Sequence, residues 1–194
     1  MTELTRALLD AAVELIAERG SRGLRMAEVA ARAGVSRQTV YNEFGNKERL
    51  VQAVALHKTA EFLDGVRQRL ASTPDPVDGL RRGIAFAFDL AARDPLARSV
   101  LNGANAEDML PLLTTKGRPV LALATSVFAR HVRAHWPELP DARVQLIADT
   151  VVRVGLSHLL TPTGRRVEAV VAVTEALLAG TPRLPEPRHP PTPA

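Results

Sequence analysis

The sequence predicts an all-α protein of two helical layers, and three observations predict it. Aromatic residues make up 4% of the 194-residue chain, and no stretch alternates apolar and polar residues over the length of a strand. Apolar residues recur instead at three- and four-residue spacing, the period of a helix with one face covered. Gly, Pro and Asn stand where such helices have to stop.

The elements follow in order. Leu4, Leu8, Ala11, Ala12, Leu15 and Ile16 form one stripe, and Gly20 offers the first helix a stop. Short helices over 26–33 and 37–44 are separated by Gly34, Val35 and Ser36. Gly45 ends the second of them, and Asn46 is suited to cap a long helix reaching residue 70. Ser72, Thr73, Pro74, Asp75 and Pro76 then break the chain. Further helices are predicted over 77–93, 96–102, 107–113, 117–135, 141–160 and 166–179. Six of the 14 prolines crowd into 181–194, a composition that predicts a disordered tail. The chain therefore divides into residues 1–46, residues 47–180 with 46–70 as a connecting helix, and the tail 181–194.

Composition excludes several chemistries. There is no cysteine, so disulfides, thiolate metal sites and a cysteine nucleophile are out, and a cytoplasmic location is expected. Glu3, Asp10, Glu14 and Glu18 occupy the region where a signal peptide would be free of acids. The longest nearly apolar run, 120–129, is about half a bilayer span, so no membrane partner is expected. No phosphate loop, nucleotide fingerprint or nucleophile elbow is present, which predicts neither an enzyme nor a cofactor. His131 and His135 have the four-residue spacing of a helical metal site, but Arg130 and Arg133 flank them. A solvated face without metal is the expectation there. Ser157 and His158 are adjacent, and neighbours on a helix point about 100° apart, too far for a hydrolytic pair.

The first fifty residues carry the functional signal. Two short helices joined by a three-residue turn with Gly make a helix-turn-helix. Val29, Ala33, Val35, Val40 and Phe44 are placed to face inward, and Ala30 is small enough for close approach. Gly34 suits a left-handed turn, and Ser36 suits the cap of the next helix. Arg37, Gln38, Thr39, Tyr41 and Asn42 remain outward, side chains able to hydrogen-bond base edges and phosphates. Charge is concentrated here. The whole chain is +4; five arginines (19, 22, 25, 32 and 37) against Glu28 put that entire excess between residues 19 and 37. Lys47 lies in the first turn of the next helix, where it opposes the helix dipole unless a phosphate shares the site. Arg19, Arg22 and Arg32 suit a solvated basic face as well as direct contacts, and Tyr41 suits a half-buried core edge as well as phosphate.

The run Ala33, Gly34, Val35, Ser36, then Thr39, Val40, Tyr41, Phe44, Lys47, Glu48 and Leu50, resembles the tetracycline-repressor (TetR) family of bacterial transcriptional regulators. The resemblance covers roughly the first quarter of the chain. It implies Thr39, Tyr41 and Lys47 on phosphates, and Arg37, Gln38 and Asn42 in or beside the major groove, with Ser36 at the start of the recognition helix. Two positions depart from the family pattern. Arg25 stands where Thr usually caps the second helix, and there a guanidinium reaches phosphate directly. Glu43 stands where His usually lies near DNA, and a carboxylate is repelled by phosphate.

The resemblance implies a homodimer on double-stranded DNA, read as two half-sites of a pseudo-palindromic operator about 34–36 Å apart. It implies that the last two helices pair with their counterparts as a four-helix bundle. Val144, Ile147, Val151 and Gly155 on one, and Val167, Val170, Val171, Thr174 and Leu178 on the other, are the expected interface; intramolecular core is the alternative for both faces. The middle helices are expected to hold a small hydrophobic effector. Phe86, Leu90, Leu101, Met109, Leu121 and Phe128 would line its pocket, with Asn102, Asn105, Thr125 and His158 as polar anchors. The implied function is that of a ligand-responsive repressor released from DNA by its effector. The competing use of the same fold is a helical ligand-binding protein whose helix-turn-helix no longer reads DNA.

Overall fold

The computed structural model describes residues 1–94, 97–98, 111 and 117–180. Among them are eight α-helices and no strand. Three form the N-terminal layer: α1 (Glu3–Gly23), α2 (Met26–Arg32) and α3 (Arg37–Phe44). The long α4 (Lys47–Leu70) connects to α5 (Pro76–Arg93), α6 (Arg118–His135), α7 (Asp141–Leu160) and α8 (Arg166–Ala179). The predicted helices at 96–102 and 107–113, and the tail 181–194, lie outside the described residues.

Local chemistry sets the boundaries. Thr2, Ser36, Asn46 and Asp75 each cap a helix with a side-chain oxygen, accepting from the backbone of Thr5, Thr39, Arg49 and Val77 respectively. Pro76 opens α5 at a position that needs no N–H, so this helix starts one residue before the predicted 77. Gly20 does break α1, with φ 76° and ψ 163°, and a last turn follows through Gly23. Gly34, at φ 69°, turns the chain between α2 and α3.

Two apolar cores result. The first joins α1, α2 and α3 to the start of α4, around Leu8, Ile16, Val29, Val40, Leu50 and Val54. Leu4, predicted to share the inner stripe, is 40% exposed. The second core joins the end of α4 to α5, α6, α7 and α8, around Val66, Leu80, Ile84, Val132, Ile147 and Val170. Within it α4 and α5 pack as a close pair. A Cβ at Gly79 would lie 2.5 Å from the carbonyl oxygen of Leu70, and one at Gly65 would run into the Phe86 ring. No described helix is long and apolar enough to cross a membrane.

Candidate functional site

The outer face of α3 is pre-arranged. Arg37 Nη2 donates to Tyr41 Oη at 3.1 Å, and its guanidinium lies 5.2 Å from the Tyr41 ring centroid. One residue along, Gln38 Nε2 donates to Asn42 Oδ1 at 2.8 Å. Ser36 and Thr39 hydroxyls meet at 2.9 Å. These i, i+3 and i, i+4 pairs hold the outward rotamers in place, which lowers the entropy lost on binding any partner. Arg37, Gln38 and Asn42 are exposed, while Thr39 and Tyr41 are half-buried.

Of three neighbouring groups, two are tied inward and one is exposed. Lys47 Nζ donates to the backbone oxygen of Arg22 at 2.8 Å, so it fastens the last turn of α1 to the start of α4. Arg25 occupies the N-cap of α2 without a capping hydrogen bond, and its side chain is exposed. Glu43 accepts from Thr5 Oγ1 at 2.6 Å, and Thr5 in turn meets the Thr2 hydroxyl at 2.6 Å. The unusual carboxylate thus anchors the recognition helix to α1.

The basic stretch is less free than its charge count suggests. Arg19 pairs with Glu28 at 3.0 Å, and Arg32 pairs with Glu18 at 2.7 Å and Glu14 at 3.4 Å. Glu14 and Glu18 lie outside the 19–37 window, one helix away in space. The Arg32 guanidinium holds the Glu18 carboxyl below its ordinary range. Arg19 and Arg32 therefore brace α1 against α2, and Arg25 and Arg37 carry no ion pair among the described residues.

In the second layer, α4, α5, α6, α7 and α8 line a partly open cavity of about 440 Å³. Its wall is almost wholly aliphatic and aromatic, including Phe62, Ile84, Phe88, Leu90, Leu121, Phe128, Val151 and Leu159. Polar atoms come chiefly from Lys58, Thr59, Glu61 and Asp94. Of the predicted pocket residues, Leu90, Leu121 and Phe128 are brought together here. Phe86 is not: its ring packs against Gly65 with the Arg69 guanidinium 4.7 Å from its centroid. Thr125 opens on a separate groove between α6 and α7 with Arg118, Gln145 and Asp149. His158 lies edge-on to Phe88, ring centroids 6.4 Å apart, with Nδ1 3.2 Å from Thr163 Oγ1. Leu101, Asn102, Asn105 and Met109 lie outside the described residues. The sequence reading missed the α4 wall and Gly155 and Leu156 of α7; the signal was that α4 carries apolar residues on more than one face along its second half.

The predicted subunit interface needs correction. Val144, Ile147, Val151, Val170, Val171 and Thr174 are buried within the chain itself. Val167 and Leu178 pack against the same core, and Gly155 lines the cavity. The six buried side chains have little or no surface left for a second copy, whereas Gly155, Val167 and Leu178 are half-buried. Periodicity identifies an apolar face but not what covers it. What remains outward on α7 and α8 is Leu146, 37% exposed, and Val173, 36% exposed, with exposed Ala142, Ala172 and Ala176. The helix α8 is apolar nearly all round, so it has one face for its own core and another in water.

His131 also departs from expectation. It is buried rather than solvated, with Nε2 3.0 Å from the Pro76 carbonyl oxygen and its ring 4.5 Å from that of His135. Burial, more than the nearby His135, holds its pKa below the ordinary value.

Known proteins share both layers. Residues 8–54 match the family model "Bacterial regulatory proteins, tetR family", and residues 75–179 match "Bacterial Tetracyclin repressor, C-terminal domain". The transcriptional regulator AlkX of Mycobacterium tuberculosis is 32% identical over 160 residues, 82% of this chain and 76% of its own. The transcriptional activator FasR of Mycolicibacterium smegmatis is 38% identical over 87 residues, 45% of this chain and 40% of its own. The crystal structure of the TetR family repressor AlkX from a Dietzia strain superposes with a TM-score of 0.71 at 29% identity. It covers 89% of this chain and 92% of that one. With the second model alone spanning more than half the chain and a helix-turn-helix in the first, this protein belongs to the TetR family of DNA-binding transcriptional regulators, which act as dimers and are not enzymes.

Proposed function

We propose that this regulator is a repressor, held on a pseudo-palindromic operator by two copies of α3 and released by an aliphatic effector. The cavity carries the proposal. A space of about 440 Å³ falls in the usual range for small-molecule sites, and a hydrocarbon wall with few polar groups on it favours a chain over a polar metabolite. The Dietzia relative is described as implicated in biodegradation of n-alkanes, which agrees in chemical class.

In this reading residues 1–46 read DNA and 47–180 bind effector and the second subunit, with 46–70 as the lever between them. Arg37, Gln38 and Asn42 face the major groove, Ser36, Thr39 and Tyr41 meet the backbone, and Arg25 and Lys47 meet flanking phosphates. The exposed faces of α7 and α8, around Leu146 and Val173, pair the subunits. Effector in the cavity acts on the second half of α4, whose first half packs on α1. A ligand works only through unequal affinity for the two states.

The test is a gel shift on the DNA upstream of the gene, with a long-chain fatty acid and an n-alkane added in turn. Release by one of them is expected. Ala124→Phe, which fills the cavity, should keep DNA binding and lose that response. Release by hydrophilic compounds alone, or an Ala124→Phe protein that responds like the parent, overturns the proposal.

A further inference from the structure

We propose that Asp10, His57 and Glu61 form a binding site for a divalent transition-metal ion of the Zn²⁺ type, bridging α1 to α4. His57 and Glu61 are one turn apart on α4, and Asp10 faces them from α1. His57 Nε2 lies 3.4 Å from Asp10 Oδ1 and 3.4 Å from Glu61 Oε1. One donor atom from each residue lies within 4.8 Å of the others. A tetrahedral ion with bonds of about 2.0–2.2 Å sets its ligands about 3.3–3.6 Å apart. The two histidine–carboxylate distances already have that spacing.

The histidine supplies the independent observation. Its side chain is only 9% exposed, and Nε2 makes no hydrogen bond despite two carboxylates at 3.4 Å. A buried imidazole nitrogen without a hydrogen bond is costly unless something satisfies it. One imidazole and two carboxylates suit a borderline cation, with a fourth position open to water. Lys58 holds the other oxygen of Glu61 at 2.7 Å, which orients the carboxylate toward His57 as an outer-shell partner does. Glu61 also lines the cavity, so the ion sits at the joint between effector space and the DNA-reading helices.

The experiment is calorimetric titration of Zn²⁺ into the chelator-treated full-length chain, repeated with Co²⁺ for its visible absorption. One ion per subunit is expected, with the absorption of a four-coordinate site. Asp10→Asn, at an exposed position that folding tolerates, and His57→Gln should each lose at least the roughly 10–100-fold in affinity that removing an outer-shell partner costs. His135→Gln tests the other histidine pair and should bind like the parent. Absence of stoichiometric binding, unchanged affinity in either Asp10→Asn or His57→Gln, or loss in His135→Gln instead overturns the assignment.

Discussion

The two layers use similar helices and treat interior volume in opposite ways. The N-terminal layer closes on itself: Leu8, Ile16, Val29, Val40 and Leu50 are fully covered, and its outer polar groups are already paired with one another. The second layer surrounds its cavity with residues that are individually core-like, such as Phe88, Phe128 and Val151. A module that presents a fixed surface to DNA gains from rigidity. A module that takes up a ligand has to leave contacts unmade until the ligand supplies them.

Truncation of leucine separates the two kinds of interior most sharply. Leu50→Ala removes a fully covered side chain from the first core and should cost about 2–5 kcal/mol in urea unfolding. Leu121→Ala on the cavity wall removes atoms that already border empty space. It should cost less than Leu50→Ala, because little new cavity is created, and should shift effector preference toward bulkier chains. Equal losses at the two positions would show that the second layer is as closely packed as the first.

The next largest effect belongs to the pre-paired surface. Arg37→Ala should weaken operator binding by about 1–3 kcal/mol if the guanidinium leaves Tyr41 for a guanine edge. The loss should fall on the operator and spare unrelated DNA, as a gel shift with both probes would report. A loss shared by both probes would return Arg37 to the backbone contacts.

How far the sequence carries differs between the layers for the same physical reason. Caps, turns and the recognition helix are local: Ser36, Asn46 and Gly34 do what their chemistry requires within three or four residues. The face of α3 was legible because everything inward was apolar and everything outward polar. In α7 and α8 that contrast is missing. Val170 and Val173 are both apolar, yet one is buried in its own subunit and the other is exposed, and periodicity cannot rank them. The ion pairs of Arg32 with Glu14 and Glu18 were equally hidden, since they join α1 to α2 across fourteen residues or more.

Lys47 tests whether the joint between α1 and α4 serves DNA, folding or both. Lys47→Ala should weaken all DNA sequences alike and reduce the slope of log affinity against log salt by about 1 if the ammonium meets a phosphate. Its bond to the Arg22 carbonyl offers a different outcome. Were that the whole of its role, melting temperature would fall while the salt slope stayed unchanged.

The smallest effect expected is a pH dependence seated in the second layer. His131 is neutral and buried, donating to Pro76 from Nε2, and its folded pKa lies below the ordinary value of 6.5. The unfolded chain therefore binds a proton more readily than the folded one. The stability at stake is fully present above the ordinary value and is lost as pH falls below it, toward the folded pKa. Urea midpoints followed by the single tryptophan should drop between about pH 7.5 and about pH 5.5. Trp136 is a local reporter, with its ring 6.2 Å from that of His131. His131→Gln should flatten the drop. A drop of the same size in that variant would overturn the assignment to His131, and the Glu18 carboxyl, held below its ordinary range, would contribute only at more acid pH.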